Sequence, residues 1–268
     1  MDYLTDLESQ SIHIMREAYK KFRKVGMLWS IGKDSTTMIG IARKAFYGKV
    51  PFPVIYIDTG KHFKEMYEFR DKCVEEWGLD LIVSRNEKAD ELGIGPKDKI
   101  KCCDFRKTQA LKNTISEHGF DALLLGIRRD EHGVRAKERV FSPRDQDFQW
   151  DYKNQAPELW DQYKTQADTS QHLRVHPLLQ WTEMDIWMYI KRENLPVNPL
   201  YYTGCRWEGK RFRSLGCETC TNPVESKAGN VDEMIEELKN TKISERSGRA
   251  QDKEEADAMQ KLRALGYM

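Results

Sequence analysis

A polar stretch between an apolar segment and an amphipathic one has the residue types of an anion-binding loop. It reads Ser-Ile-Gly-Lys-Asp-Ser from Ser30 to Ser35. Gly32 allows the backbone to approach a ligand closely, and Lys33 supplies a positive charge. The two serine hydroxyls and the first N–H groups of a following helix are further donors. The stretch predicts a phosphate-binding loop, with an ordinary turn N-capped by Asp34 and Ser35 as the alternative.

The spacing of this loop is not that of a Walker A motif. That motif needs Gly-x4-Gly-Lys-Ser/Thr, whereas this stretch contains a single glycine. The sequence therefore predicts a shorter cradle than that of the P-loop nucleotide hydrolases.

Arginines are concentrated directly after an apolar segment at 121–127. They comprise Arg128, Arg129, Arg135 and Arg139. Paired arginines bind tetrahedral oxyanions through a planar fork of donors that lysine does not possess. The pattern predicts an oxyanion site; the alternative is a charged surface loop paired with its own acidic residues.

Asp58, Thr59 and Gly60 form a second polar strand end, after the apolar run 52–58. The carboxylate and hydroxyl suit a ribose, an adenine edge or Mg²⁺, and the glycine allows close approach.

Four of the six cysteines form two close pairs, Cys102–Cys103 and Cys217-x2-Cys220. In a reducing compartment such pairs favour metal binding over disulfides. Adjacent residues direct their side chains apart, so both sulfurs reach a single zinc ion only with strain. A cubane offers separate irons. The pattern favours a 4Fe–4S (iron–sulfur) cluster over zinc, with unligated thiols or a redox disulfide as the remaining alternatives.

Strand and helix signals alternate along most of the chain, which is typical of βαβ units and a buried parallel sheet. Predicted strands are 27–29, 52–58, 79–84, 121–127 and 173–179, and predicted helices are 7–25, 34–46, 62–77, 104–118, 182–195 and 231–240. The predicted fold class is α/β, with a parallel sheet that has helices on both faces. Residues 1–180 are predicted to form this domain and 181–268 a small helical C-terminal extension with the Cys-x2-Cys pair and an arginine-rich tail.

The overall charge excludes a polycation, since 44 Lys and Arg residues oppose 43 Asp and Glu residues among 268. A local exception is the basic, aromatic loop Arg206–Arg213, which suits phosphate contact and base stacking or is a solvated hairpin. No apolar run approaches the roughly 18–20 residues that span a bilayer. The acidic, amphipathic N-terminal stretch differs from a signal peptide, so a cytoplasmic location without membrane contact is expected.

Several of these motifs resemble one superfamily. "SIGKDS" is similar to the PP-loop of the ATP pyrophosphatases, and "YIDTG" at Tyr56–Gly60 resembles a motif of their phosphoadenosine phosphosulfate reductase branch. Longer stretches, among them "GIRRDEHGVRAKERVFSPRD", "VHPLLQWTEMDIWMYI" and "SERSGR", resemble the catalytic small subunits of sulfate adenylyltransferases.

The resemblance implies an adenine nucleotide α-hydrolase-like, Rossmann-like fold that binds ATP with Mg²⁺. In that superfamily an oxyanion attacks the α-phosphorus and pyrophosphate leaves. It implies catalytic roles for Lys33, Arg128 and Arg129, with the oxyanion held by Arg128, Arg129, Arg135 and Arg139. The nucleotide-binding residues it implies are Ser30, Gly32, Lys33, Asp34, Ser35, Asp58, Thr59, Gly60, Gly126, Arg246 and Arg249.

The cysteines depart from the sulfate-adenylating pattern, as does the short segment between Pro199 and Gly216. The order Cys-Cys…Cys-x2-Cys, formed here by Cys102, Cys103, Cys217 and Cys220, resembles the 4Fe–4S ligand set of assimilatory adenylylsulfate reductases. Those reductases also carry a nucleophilic cysteine in their C-terminal tails, and the stretch "KLRALGYM" lacks one. The ATP pyrophosphatases of DNA phosphorothioation resemble the chain in two ways: they have cysteines for an iron–sulfur cluster, and they have no reductase tail.

Three acceptors therefore remain open, each with its own partner. Sulfate implies a GTPase large subunit, a DNA backbone phosphate implies a cysteine desulfurase, and reduction of activated sulfate implies thioredoxin or an equivalent. A non-catalytic nucleotide-binding regulator is a further alternative, and each is compatible with a homo-oligomer.

Overall fold

A six-stranded sheet with the spatial order β3–β2–β1–β4–β6–β5 forms the centre of the molecule. The computed structural model describes residues 2–133, 135–153, 155, 157–158, 163, 172–241 and 245. The strands are β1 (Val25–Leu28), β2 (Val54–Ile57), β3 (Leu81–Ser84), β4 (Ala122–Leu124), β5 (Phe141–Arg144) and β6 (His172–Val175). All neighbouring pairs are parallel except β5–β6, which confirms the predicted α/β class.

Helices cover the sheet, and the apolar strands explain why. All four residues of β1 are buried, and β1 pairs on one side with β2 and on the other with β4. A strand buried on both faces needs a layer of helices on each side. The longer helices are α1 (Tyr3–Lys21), α2 (Lys33–Ala45), α3 (Lys64–Trp77), α6 (Ala110–His118), α7 (Glu183–Glu193) and α8 (Val231–Asn240), and the short ones are α4 (Lys88–Glu91) and α5 (Lys99–Cys103).

The antiparallel strand β5 lies in a region where the sequence shows no periodic pattern. Pro143 removes one ladder donor, which a strand tolerates at the edge of a sheet. Arg144 is fully buried and pairs with the equally buried Glu138 at 2.8 Å. A proline and an arginine in four residues are turn and surface signals, so the sequence pattern concealed this strand.

The helix predicted at 104–118 is not one continuous α-helix. Helix α5 ends at Cys103, a π-helical turn occupies Asp104–Gln109, and α6 follows. The wide turn buries Arg106, Lys107 and Thr108. Single π turns often occur at functional sites, because the extra residue redirects the side chains next to it.

The C-terminal part begins with α7 and covers the carboxyl edge of the sheet. Thr182 is the N-cap of α7, as predicted, and its hydroxyl accepts the N–H of Asp185 at 3.2 Å. A 3-10 turn at Pro199–Tyr201 and a two-stranded ribbon, β7 (Lys210–Arg211) and β8 (Val224–Glu225), precede α8. Among the residues that the structure describes, no helix combines the length and apolarity of a membrane span. The boundary at residue 180 stays a prediction.

Candidate active site

The loop between β1 and α2 folds back on itself through Ser35. The Ser35 hydroxyl lies 3.2 Å from the Ser30 amide and 3.1 Å from the Ser30 hydroxyl, and it donates to the Gly32 carbonyl at 3.2 Å. Gly32 is the N-cap of α2 without a side-chain hydrogen bond. The N-cap is therefore neither Asp34 nor Ser35, whereas phosphate binding by the loop stays a prediction.

The left-handed residue of the loop is Ile31, with φ +62°, whereas Gly32 has φ −82°. A β-branched residue at positive φ is an outlier, and such strain concentrates at functional sites. The Ile31 side chain is fully buried in the core, which offsets this cost. Gly32 therefore does not provide the turn that the sequence pattern suggests.

Lys33, Asp34, Arg128 and Glu245 form a buried network of charges at the start of α2. Lys33 Nζ lies 3.2 Å from Asp34 and pairs with Glu245, and Arg128 pairs with both Asp34 and Glu245. Burial acts to lower the pKa of Lys33, but Glu245, Glu183 and Tyr201 together outweigh it and raise that pKa. Burial acts to raise the pKa of Glu245, yet Arg128 and Lys33 hold it well below its usual range. A carboxylate thus binds both cations that were predicted to bind phosphate or oxyanion.

A cavity of about 140 Å³ lies over the loop, and Ser30, Gly32, Asp34 and Ser35 line one side of it. Tyr201, Ser214, Leu215 and Gly216 from the C-terminal part also line it, together with Glu245. The cavity is therefore shared by the sheet and the segment that follows it.

Gly126 brings the end of β4 against the start of α2. A Cβ atom at this position would lie 3.0 Å from Ser35 Cα and 3.1 Å from Ser35 N. Backbone cannot move aside as a flexible side chain does, so only glycine fits here without displacing the loop.

The predicted set of four arginines is divided between two places. Arg135 lines the cavity and pairs with Glu131, and Arg128 pairs with Asp34 and Glu245, which also line it. Arg129 and Arg139 instead line a separate cavity of about 230 Å³ beside α1. The structure therefore brings only Arg128 and Arg135 close to Lys33. Arg246 and Arg249 lie outside the described residues.

Two of the polar residues after β2 face away from the loop. Asp58 accepts hydrogen bonds from the Gly60 amide and the Tyr67 hydroxyl, each at 2.8 Å. The Thr59 hydroxyl lies 3.3 Å from Cys217 Sγ. Gly60 has φ +67°, a conformation that favours glycine.

Cys102, Cys103, Cys217 and Cys220 line one small pocket of about 10 Å³, and their role as metal ligands stays a prediction. Cys205 is exposed elsewhere, and Cys73 is a buried core residue. Burial acts to raise the pKa of Cys217, but Lys107, His62 and Thr59 together lower it to about 5. Lys107 lines both this pocket and the cavity over the loop, so the two places adjoin.

Sequence reasoning missed Tyr201, Glu245, His62 and Lys107. Tyr201 lies far along the chain in a segment without a motif, and its distance from Lys33 leaves no local signal. Glu245 precedes Arg246 in "SERSGR", a stretch in which the two arginines carry the phosphate-binding signal and the glutamate carries none. Lys107 follows the Cys-Cys pair, but only the π turn directs it inward.

The fold and this loop define an adenine-nucleotide-binding α/β protein. Its chain belongs to the phosphoadenosine phosphosulfate reductase domain family, whose sequence profile matches residues 24–223. The resemblance noted for the PP-loop and the strand-end motifs is thereby confirmed at the level of the family.

Curated relatives match over the full chain. "Sulfate adenylyltransferase subunit 2" of Aliivibrio fischeri is 45% identical over 100% of this chain and 98% of the relative, and the protein of that name from Saccharophagus degradans gives the same values.

Solved structures with low sequence identity share the fold. A phosphoadenylyl-sulfate reductase of Candida auris has a TM-score of 0.58 at 16% identity and covers 83% of this chain and 98% of its own. The FMN adenylyltransferase of Candida glabrata has a TM-score of 0.57 at 19% identity, with 82% and 63% covered.

Proposed function

We propose that this chain is an ATP pyrophosphatase that transfers the adenylyl group of ATP to sulfate and releases pyrophosphate. The observation that carries the proposal is its 45% identity to sulfate adenylyltransferase subunit 2 proteins over the whole chain. Three cations support it, because both substrates are anions: Arg135 lines the PP-loop cavity, and Lys33 and Arg128 pair with residues that line it.

In this reaction a sulfate oxygen attacks the α-phosphorus of ATP, and the bond from that phosphorus to the oxygen bridging to the β-phosphorus breaks. The Lys33 ammonium and the amides of Asp34 and Ser35 hold the β- and γ-phosphates, and Arg128 and Arg135 hold the attacking oxyanion. No covalent enzyme group is needed. Catalysis comes from alignment of the attacking oxygen and from neutralisation of the charge that develops on pyrophosphate.

Carboxylates beside the loop fit a magnesium ion. One oxygen from each of Asp34, Glu131 and Glu245 lies within 4.8 Å of the other two. Mg²⁺ prefers such oxygen ligands and keeps several waters and phosphate oxygens. When bound, it would supply positive charge to the pyrophosphate leaving group.

Sulfate is favoured over a DNA phosphate because the arginines of loop Arg206–Arg213 are engaged within the molecule. Arg206 pairs with Glu65 at 2.7 Å and with Glu218 at 2.6 Å. Arg211 and Arg213, both buried, pair with Glu237 at 2.6 Å and Glu183 at 2.8 Å. A DNA backbone could bind these three arginines only after their carboxylates were displaced, and, unlike Arg135, none of the three lines the PP-loop cavity.

The partner follows from the relatives, whose name designates one subunit of an assembly. A large subunit is therefore proposed to act with this chain, and the resemblance to the small subunits of sulfate adenylyltransferases implies that it is a GTPase.

The cysteine pocket is proposed to hold a 4Fe–4S cluster. Zinc–sulfur bonds of about 2.3 Å require the sulfurs of one site to lie close together. Among the described residues, no three cysteine sulfurs lie within 4.8 Å of one another, which disfavours a tetrahedral zinc site. Lys61, Lys99, Arg106 and Lys107 line the same pocket and would balance the negative charge of a cluster with four thiolates.

Iron content tests the cluster. Protein purified without oxygen is expected to be brown, and Cys102→Ser or Cys220→Ser to bleach it, whereas Cys205→Ser, at an exposed loop position, leaves the colour unchanged. A colourless protein that contains zinc refutes the cluster.

Acceptor-dependent pyrophosphate release tests the reaction. The chain and its large subunit are incubated with Mg²⁺–ATP and either sulfate or duplex DNA, and pyrophosphate is measured. Sulfate-dependent release is expected; DNA-dependent release points to phosphorothioation. ATP binding without release for any acceptor points to a regulator.

Lys33→Ala is expected to lower the sulfate-dependent rate about 100-fold or more, because it removes a buried stabilising charge. Lys64→Ala, at an exposed lysine of α3, is the matched control and keeps the wild-type rate. Wild-type activity of Lys33→Ala contradicts the role of the loop.

A further inference from the structure

Tyr201 reaches the PP-loop from the C-terminal part and contacts the first residue of α2. Its hydroxyl accepts the N–H of Lys33 at 2.9 Å. That amide is one of the four at a helix N-terminus that have no partner within the helix. In a PP-loop these amides are the groups expected to face phosphate, so Tyr201 stands between one of them and the cavity.

The surrounding structure holds Tyr201 in this position. The residue is 1% exposed, and its ring meets Trp187 edge to face with a centroid distance of 5.6 Å. Asn198 caps the 3-10 turn that carries it, accepting the Leu200 amide at 3.1 Å and donating to the Glu65 carbonyl at 3.1 Å. The turn, the ring contact and the hydrogen bond to α3 therefore fix the position of Tyr201 together.

The hydroxyl also lies where a phosphate would enter. Tyr201 lines the PP-loop cavity together with Ser30 and Gly32, and its ring centroid is 5.8 Å from Lys33 Nζ. A hydroxyl can accept from an N–H and donate to an anion at the same time, and each hydrogen bond in such a chain strengthens the next.

We propose that Tyr201 is a phosphate-binding residue of this site: its hydroxyl accepts the Lys33 N–H and donates its proton to an oxygen of the β,γ-pyrophosphate group. Tyr201 thus extends the N-terminus of α2 by one hydroxyl. The C-terminal part is then a component of the phosphate site as well as its cover. This inference deepens the proposed function and rests on it.

Tyr201→Phe tests the inference because it keeps the ring and removes only the hydroxyl. Affinities for pyrophosphate, ATP and AMP are measured by calorimetry on the full chain. Hydrogen bonds to charged groups contribute about 1.5–3 kcal/mol, so pyrophosphate and ATP are expected to bind about 10- to 100-fold more weakly. AMP lacks the β- and γ-phosphates, so its affinity is expected to be unchanged.

Tyr202→Phe is the matched control, since this half-buried neighbour also packs on Trp187 without contacting the loop. It is expected to bind all three ligands as the wild type does. Equal loss of all three ligands in Tyr201→Phe indicates a structural role and overturns the inference, as does unchanged pyrophosphate affinity.

The proposed function is judged separately, by sulfate-dependent release in the wild type. A wild type that binds pyrophosphate but does not adenylylate sulfate leaves the Tyr201 result interpretable and overturns only the acceptor. A wild type that binds no pyrophosphate overturns both.

Discussion

Glu245 is the residue that makes the charges around the PP-loop compatible with burial. Lys33 and Arg128 are fully buried, and an isolated buried charge is costly unless it is paired. Glu245 contacts both of them, and Asp34 contacts both as well. Two cations opposite two carboxylates leave this network close to neutral, which is why the fold tolerates it so near the core.

Removing that carboxylate is expected to destabilise the protein. Glu245→Gln keeps the size of the side chain but leaves two buried cations underpaired, a loss of about 3 kcal/mol in the free energy of unfolding near neutral pH. Glu236→Gln, at an exposed pair on α8, is the control and should change little. Urea denaturation measures both.

The pH dependence of this difference has a definite sign. Because the folded-state pKa of Glu245 is lowered, its stabilisation is complete above the ordinary glutamate pKa of about 4.3 and is lost as the pH falls below it. The difference between wild type and Glu245→Gln should therefore narrow when urea denaturation is repeated from about pH 6 to about pH 3.5. A difference that stays constant or widens contradicts the pairing of Glu245 with Lys33 and Arg128.

Residue types in the loop predict phosphate binding, but they do not predict the geometry of the loop. The prediction rests on the hydroxyls of Ser30 and Ser35 and on the Lys33 ammonium, which are all donors. The left-handed conformation at Ile31 could not be predicted, because β-branched residues avoid it and only the buried environment of the side chain compensates. The contact of Glu245 with Lys33 joins residues 212 positions apart, and nothing local signals it.

Among the elements, β4 and α2 depend on each other through a single glycine. Gly126→Ala would place a Cβ 3.0 Å from Ser35 Cα and force the two elements apart. Overpacking of this kind costs about 1–3 kcal/mol, and displacement of the loop should also weaken pyrophosphate binding. Thermal unfolding and calorimetry measure the two effects.

Gly95→Ala is the matched control for that substitution. A Cβ at Gly95 would meet no atom within 4 Å, so stability and binding should remain at wild-type values. If Gly126→Ala has the same melting temperature and pyrophosphate affinity as Gly95→Ala, then α2 accommodates the methyl group without moving the loop.

Elements with strong periodicity were predicted to within a few residues, and irregular ones were not. Strands β1, β2, β3, β4 and β6 and the helices α1, α2, α3, α7 and α8 follow from apolar runs, apolar periodicity and the Thr182 cap. The π turn at Asp104–Gln109 has no recognisable pattern, and edge strand β5 resembles a loop because it contains Pro143. Both are stabilised by tertiary contacts that no short window contains.

At the scale of the whole molecule, the arginines are distributed according to topology and not according to spacing. Arg128 and Arg129 are adjacent, yet one side chain pairs with residues that line the PP-loop cavity and the other lines the cavity beside α1. Arg128 has an extended backbone and Arg129 begins a 3-10 turn, so their side chains leave the chain in different directions. Closeness in the sequence therefore does not place Arg128 and Arg129 in the same site.

The same distribution predicts weak binding to DNA. The net charge is only +1, and the arginines of loop Arg206–Arg213 are paired with glutamates. Non-specific DNA affinity comes from cations that neutralise phosphates. Wild-type protein is therefore expected to show no appreciable affinity for duplex DNA at about 0.15 M salt, measured by fluorescence anisotropy.

A variant in which Arg206 is no longer paired with carboxylates is expected to bind DNA more tightly than the wild type. The double substitution Glu65→Gln and Glu218→Gln removes both carboxylates that hold its guanidinium. DNA affinity at low salt should then rise and fall again with added salt, with a slope near the value of about −0.9 for one phosphate contact. Glu225→Gln, which unpairs only the exposed Lys210 of β7, is the control for the loss of a carboxylate. Tight, salt-dependent binding by the wild type would show that the chain presents another basic surface to DNA, and a backbone phosphate would then be preferred to sulfate as the acceptor.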